Sequence, residues 1–241
     1  MTSSSPIVCS ISSPIVCAID LPDLERARSL ARALGKSVGT IKLGLEFLYA
    51  QGPQGIRAMG ELGIPIFIDA KLSDIPNTVA GAMRGIVELP VSMVTVMAGG
   101  GDAMMRAACA VARDSATRPW ILAVTVLTSL DESDLRATGV GGSATDQVLR
   151  LAELALGAGC DGLVCSPAEI GAIRARFGNE PKLVVPGIRP VAADDDQKRT
   201  LTPVEALRAG ADRLVIGRPI TMAADPARAA RDIFQDLSEA A

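Results

Sequence analysis

Histidine is absent from the 241 residues, and aromatic side chains make up only 2% of them. The first absence removes Ser-His-Asp triads, histidine-ligated zinc and imidazole acid–base chemistry together. Any proton transfer must run through Lys, Asp, Glu, Cys or Tyr. One Trp and one Tyr leave few platforms on which nucleobases could stack. An excess of either charge is also missing: 24 basic against 27 acidic residues give a formal net charge of −3. Neither a nucleic-acid partner nor a membrane surface is therefore expected. No apolar run is long enough to span a bilayer, and the opening "MTSSSPIVCSISSPIVCAID" has no basic n-region of a signal peptide. The five cysteines, at 9, 17, 109, 160 and 165, form no C-x-x-C pair. Cys17 and Cys165 fall in apolar strand-like runs, where a buried thiol is ordinary. A reducing compartment, hence a cytoplasmic location, is the expectation.

What is present is a core-forming chain: 49% hydrophobic and 21% charged residues are enough for one sizeable folded unit. The hexamer "SSPIVC" occurs twice, at 4–9 and 12–17, too short a unit for a repeat architecture. Only the second copy runs on into "AID", so residues 1–13 are expected to be a flexible tail and 14–241 a single catalytic domain. Within it, apolar β-branched runs recur at 14–19, 38–43, 64–69, 91–97, 120–127, 161–165, 182–186 and 212–217. Between them lie stretches with three- and four-residue apolar spacing, such as "DLERARSLARALG", closed by glycine. Others occupy 45–62, 76–89, 101–116, 143–159, 167–178 and 203–210, with a last one at 225–240. Eight strand–helix units make the fold class α/β and predict a single (β/α)8 TIM barrel rather than a doubly wound open sheet.

Chemistry in such a barrel sits at the C-terminal ends of the strands. Polar residues there are Asp20, Lys42, Asp69, Lys71, Thr128, Arg189 and Arg218. Asp69 and Lys71 are two apart on one strand and so share a face, and Lys42 ends the neighbouring strand. Buried charges need partners, so these should interleave. A purely structural ion-pair network is the bland alternative, yet apolar replacements of such networks are often as stable. The glycine clusters "AGGGD" and "GVGGS" lack the G-K-[ST] ending of a P-loop and read as tight loops.

The segment "DAKLSDIPNT" (69–78) resembles the D-x-K-x-x-D-I-P-N-T signature of the orotidine 5′-phosphate decarboxylase family. The likeness continues through "AID", "IKLG", "VTVLTS", "VPGIRP…DQKR" and "VIGRPI", in order along nearly the whole chain after residue 13. It implies cofactor-free, metal-free decarboxylation of orotidine 5′-phosphate to UMP, the last step of de novo pyrimidine synthesis. Lys71 would be the proton donor to C6, Asp69 would lie near the departing carboxylate, and Lys42 would bridge to the ribose, with Asp20 on a ribose hydroxyl. Thr128 would contact the pyrimidine, with Ser129 as the neighbouring alternative. Gly217 and Arg218 would hold the phosphate, and Arg189 and Gln197 would belong to a lid over it. The resemblance also implies a homodimer in which Asp74 and Thr78 complete the neighbouring subunit's site, with Ile75 among the substrate-binding residues. Related barrels acting on sugar phosphates share the D-x-K-x-x-D charges but use magnesium. The I-P-N-T continuation favours the nucleotide enzyme. A non-catalytic phosphate-binding barrel would have no need of Lys71. Leu72-Ser73 and Met97 replace residues that are often Phe-His and His in the family; neither histidine belongs to its proton-transfer set.

Overall fold

The computed structural model describes residues 13–189 and 201–240. Eight parallel strands close into a barrel in sequence order: β1 (Ile15–Ala18), β2 (Thr40–Leu43), β3 (Ile66–Leu72), β4 (Met93–Met97), β5 (Trp120–Val124), β6 (Gly162–Val164), β7 (Lys182–Val185) and β8 (Arg213–Ile216). Helices α1 (Leu24–Leu34), α2 (Leu45–Gly60), α3 (Pro76–Ile86), α4 (Asp102–Arg113), α6 (Ala144–Gly157), α7 (Ile170–Phe177), α8 (Pro203–Ala209) and α10 (Pro226–Glu239) follow successive strands. Two short helices were not among the eight expected units. One is α5 (Glu132–Ala137), the other α9 (Arg218–Thr221). The sequence pattern of α5 is too short to show a period, but Asp131 and Asp134 close a reciprocal capping box at its start, which supplies local stability in place of length.

Alternation along the strands sorts the core into two. Val16, Ala18, Phe67, Met93, Leu122, Val184 and Val215 fill the barrel interior. Their neighbours Ile15, Cys17, Ile66, Ile68, Val94 and Leu214 face outward into the layer packed by the helices. Both faces of each strand are thus buried, which is why the strands read as continuous apolar runs. Lys42 interrupts the interior. It pairs laterally with Ala18 of β1 and Phe67 of β3, so it is an inward residue at the top of β2. Most strands are shorter than the apolar runs that encode them: β5 ends at Val124, where residue 127 was expected, because the rest of the run forms the loop at the mouth; β3 instead runs on past the expected residue 69 to Leu72.

Ser13, expected in the tail, belongs to the barrel. It is fully buried, donates to the carbonyl of Ser37 at 2.8 Å and accepts from the Ile15 amide at 3.2 Å. "GVGGS" turns as expected, with Gly139 and Gly142 at φ of 82° and 90°, delivering Ser143 as the N-cap of α6.

The β6–β7 contact sets a sharp steric limit. A Cβ on Gly162 would overlap the carbonyl oxygen of Lys182, its partner on β7. Gly162→Ala should cost about 1–3 kcal/mol by overpacking, lowering Tm by about 2–12 °C. Gly157→Ala on α6, whose Cβ meets open space, should leave Tm unchanged or higher; thermal melts of both variants check this.

Candidate active site

The seven polar strand-end residues all lie at the C-terminal rim of the barrel, and four of them join directly. Lys42 Nζ lies 3.2 Å from Asp20 Oδ1 and 3.3 Å from Asp69 Oδ2, and Lys71 Nζ lies 2.9 Å from Asp69 Oδ1. The result is a chain of alternating sign, Asp20–Lys42–Asp69–Lys71, running across three strands. Exposure grades along it: the Lys42 and Asp69 side chains are 10% and 13% exposed, Lys71 33% and Asp20 46%. The two buried members are each flanked on both sides by opposite charge, the arrangement that lets buried charges persist.

Burial alone would raise the Asp69 carboxyl, but Lys42, Lys71 and hydrogen bonds from Lys71 and Thr95 outweigh it and hold the group below the usual carboxylate range. Asp69 therefore stays an anion next to the Lys71 ammonium. Because its folded value is depressed, the associated stability is present at neutral pH and lost as acid carries the solution down through that value.

The Asp69–Lys71 pair meets through a local irregularity that simple alternation does not include. Phe67 and Ile68 pair with Met93 and Val94, but the next partners are Leu72 and Val96. Asp69, Ala70 and Lys71 thus bulge opposite the single residue Thr95, and Lys71 sits at φ 49°, in the left-handed region. Bulges of this kind re-aim side chains at barrel rims. Thr95 Oγ1 accepts from the Lys71 amide at 2.9 Å and donates to Asp69 Oδ1 at 3.0 Å.

Below Lys71 opens a cavity of about 160 Å³. Lys42, Asp69 and Lys71 line it together with the apolar Phe67, Val124, Val126, Val164 and Val215, and with Thr128. Thr128 rather than Ser129 reaches this cavity. The apolar lining escaped sequence reasoning, which looked for polar residues; inward alternation at the strand ends was the signal that could have found it. Cys165 also lines the cavity, and burial pushes its thiol up. On the far side of the array, a Cβ on Gly44 would overlap Asp20 Oδ1 and lie 3.0 Å from Lys42 Nζ, so glycine at the start of α2 leaves room for the outer pair.

The remaining expected residues stand apart from the array. Asp74, Ile75 and Thr78 are exposed, Ile75 by 66%. Asp74 Oδ1 accepts only from the Ile75 amide, at 2.6 Å, among the described residues. Arg189 is buried beyond β7, its amide donating to the Leu201 carbonyl at 3.1 Å and its guanidinium to the Ile188 carbonyl. Gly217 and Arg218 open α9 just past β8. Gln197 lies outside the described residues.

The mouth of this (β/α)8 barrel gathers lysine and aspartate side chains in contact with one another, and the chain has no imidazole to place there. Residues 13–233 match the family model described as "Orotidine 5′-phosphate decarboxylase / HUMPS family". Over 224 residues the chain is 52% identical to an orotidine 5′-phosphate decarboxylase of Paramagnetospirillum magneticum, covering 90% of this chain and 95% of that one. It is 53% identical over 219 residues to the protein of the same name from Novosphingobium aromaticivorans, covering 90% and 96%. Among solved structures, an orotidine 5′-phosphate decarboxylase from Lactobacillus acidophilus superposes with a TM-score of 0.83 at 34% identity, covering 93% of this chain and 98% of that one. The chain belongs to the orotidine 5′-phosphate decarboxylase / HUMPS family.

The array makes one electrostatic statement that can be measured without substrate. Lys42→Met removes the ammonium 3.3 Å from Asp69 Oδ2, which helps to lower that carboxyl, while keeping much of the side chain's length. The Asp69 titration midpoint, followed by carboxyl-carbon NMR, should move up toward the ordinary carboxylate range; an unmoved midpoint would mean that the 3.3 Å contact carries no coupling.

Proposed function

We propose that the protein decarboxylates orotidine 5′-phosphate to UMP and carbon dioxide without a metal or cofactor, in the cytoplasm, with Lys71 as the proton donor to C6. The observation that carries this reading is the Asp20–Lys42–Asp69–Lys71 chain set against an apolar-walled cavity at the barrel mouth. The bond from C6 to the substrate carboxylate breaks heterolytically, carbon dioxide leaves, and the electron pair stays on C6. That pair is orthogonal to the ring π system and poorly delocalised, so it needs an external positive charge. An ammonium at about 3 Å with an effective dielectric of about 20 supplies about 5 kcal/mol, three to four decades in rate. The Lys71 ammonium then gives its proton to C6 and is recharged from solvent.

Preorganisation makes that charge available where it is needed. Asp69 holds the ammonium at 2.9 Å, and the apolar lining keeps water from screening the developing charge. Asp20, at the most open end, with the buried Lys42 behind it, suits ribose hydroxyls. Thr128 in the cavity lining suits the pyrimidine. Gly217 and Arg218 follow β8, where phosphate is commonly held in this architecture, and Arg189 lies beyond the neighbouring β7. Binding energy from that remote phosphate helps organise the reacting end.

The proposed assembly is a homodimer. Asp74, Ile75 and Thr78 project from the β3–α3 junction into solvent in the single chain, and this exposure supports their serving the site of a second copy.

Two experiments test the reading. Loss of the ultraviolet absorbance of orotidine 5′-phosphate should proceed unchanged in excess EDTA, and Lys71→Ala should slow it by more than about 1,000-fold. A metal-dependent turnover, or an unimpaired Lys71→Ala, would overturn it. Separately inactive Lys71→Ala and Asp74→Ala proteins, mixed and allowed to exchange subunits, should regain activity through heterodimers carrying one intact site; no recovery after verified exchange would rule out the shared site.

A further inference from the structure

We propose that Thr95 is a positioning residue of the reaction: its buried hydroxyl bridges the bulged backbone of Lys71 and the carboxylate of Asp69, and so aims the proton donor. The role rests on the decarboxylation reading above.

Three residues of β3 face one of β4 at the bulge, so the Lys71 amide has lost its place in the regular ladder. A buried amide without an acceptor is costly. Thr95 Oγ1 takes it at 2.9 Å. The hydroxyl has a single proton, and because the Asp69 carboxylate can only accept, that proton goes to Asp69 Oδ1 at 3.0 Å. Oδ1 is the same oxygen that holds the Lys71 ammonium at 2.9 Å. One hydroxyl therefore fixes both ends of the Lys71 residue: its backbone directly, and its ammonium through Asp69. Thr95 is fully buried and does not line the cavity.

The left-handed backbone at Lys71 is where this bridge matters most. A φ of 49° is unfavourable for a residue with a long side chain, and surrounding contacts must hold it there. Val96 pairs with Leu72 beyond the bulge and Val94 with Ile68 before it, which clamps the two ends. Thr95 Oγ1 is the side-chain contact in the middle.

Three variants separate this role from simple packing. Thr95→Val keeps shape and loses both hydrogen bonds, Thr95→Ser keeps both and loses a methyl group, and Thr95→Ala loses both and leaves a small void. Thr95→Val should lower kcat on the order of 10- to 100-fold with KM changed less than about threefold, because the phosphate and ribose contacts are untouched. Thr95→Ser should retain kcat within about threefold of wild type. The charged groups facing Asp69 are Lys42 from β2 and Lys71 from its own strand, with Asp20 beyond Lys42. Removing one of the hydrogen bonds that lower the Asp69 carboxyl should raise its titration midpoint in Thr95→Val and leave it in place in Thr95→Ser.

Wild-type kcat equal to that of Thr95→Val, an impairment confined to KM, or a Thr95→Ser as slow as Thr95→Val would overturn the proposal. So would an Asp69 midpoint unmoved in Thr95→Val. If Thr95→Val does not fold, the Ser–Ala pair makes the same comparison. The NMR titration needs no substrate, so it reports on Thr95 even if the wild-type protein fails to decarboxylate orotidine 5′-phosphate, an outcome that would instead remove the reading of the reaction.

Discussion

Asp69 shares one carboxylate between two ammonium groups, with Lys42 on one oxygen and Lys71 and Thr95 on the other. Much of the mouth is arranged to make that sharing stable. Carried into a barrel interior alone, any of these charges would be neutralised or expelled. As an alternating series they balance, and the most exposed members lie at the ends, where water can still reach. The energetic cost falls on the buried middle, and the freedom to act is left to Lys71.

The barrel supplies what the charges cannot supply for themselves. Ala18 and Phe67 flank Lys42 in register, so the lysine rises between a small and a large neighbour out of an apolar floor. Gly44 keeps the next loop from crowding the Asp20–Lys42 pair. Strand pairing thus fixes the spacing of groups on three different strands, which no single loop could do with the same rigidity.

Much of this architecture is legible in the chain before any coordinates. Eight β-branched runs bury both faces and so announce themselves without alternation, and in a parallel barrel their C-terminal ends must share one rim. That is enough to bring Lys42 beside Asp69 and Lys71. Three things resisted reading. The bulge at 69–71 is a mismatch between two strands, and no single segment encodes it. Thr95 sits within the apolar run "VSMVTVM" and looks like a β-former among others until its hydroxyl is seen between two groups of β3. Ser13 lies at the edge of a repeated hexamer, where composition gives no hint that its side chain ties β1 to the carbonyl of Ser37. In each case the missing information is a partner distant in sequence.

The thiols near the mouth carry a separate implication. Cys17 lies on β1, its thiol pushed up to about 12 by burial and the nearby Asp20 charge, and Cys165 stands in the cavity wall with its own thiol raised by burial. Both stay as uncharged S–H groups across the working range of a cell, and the nucleophile in cysteine chemistry is the anion. Burial thus withholds the thiolate form from the one cysteine that lines the cavity, Cys165, among the described residues.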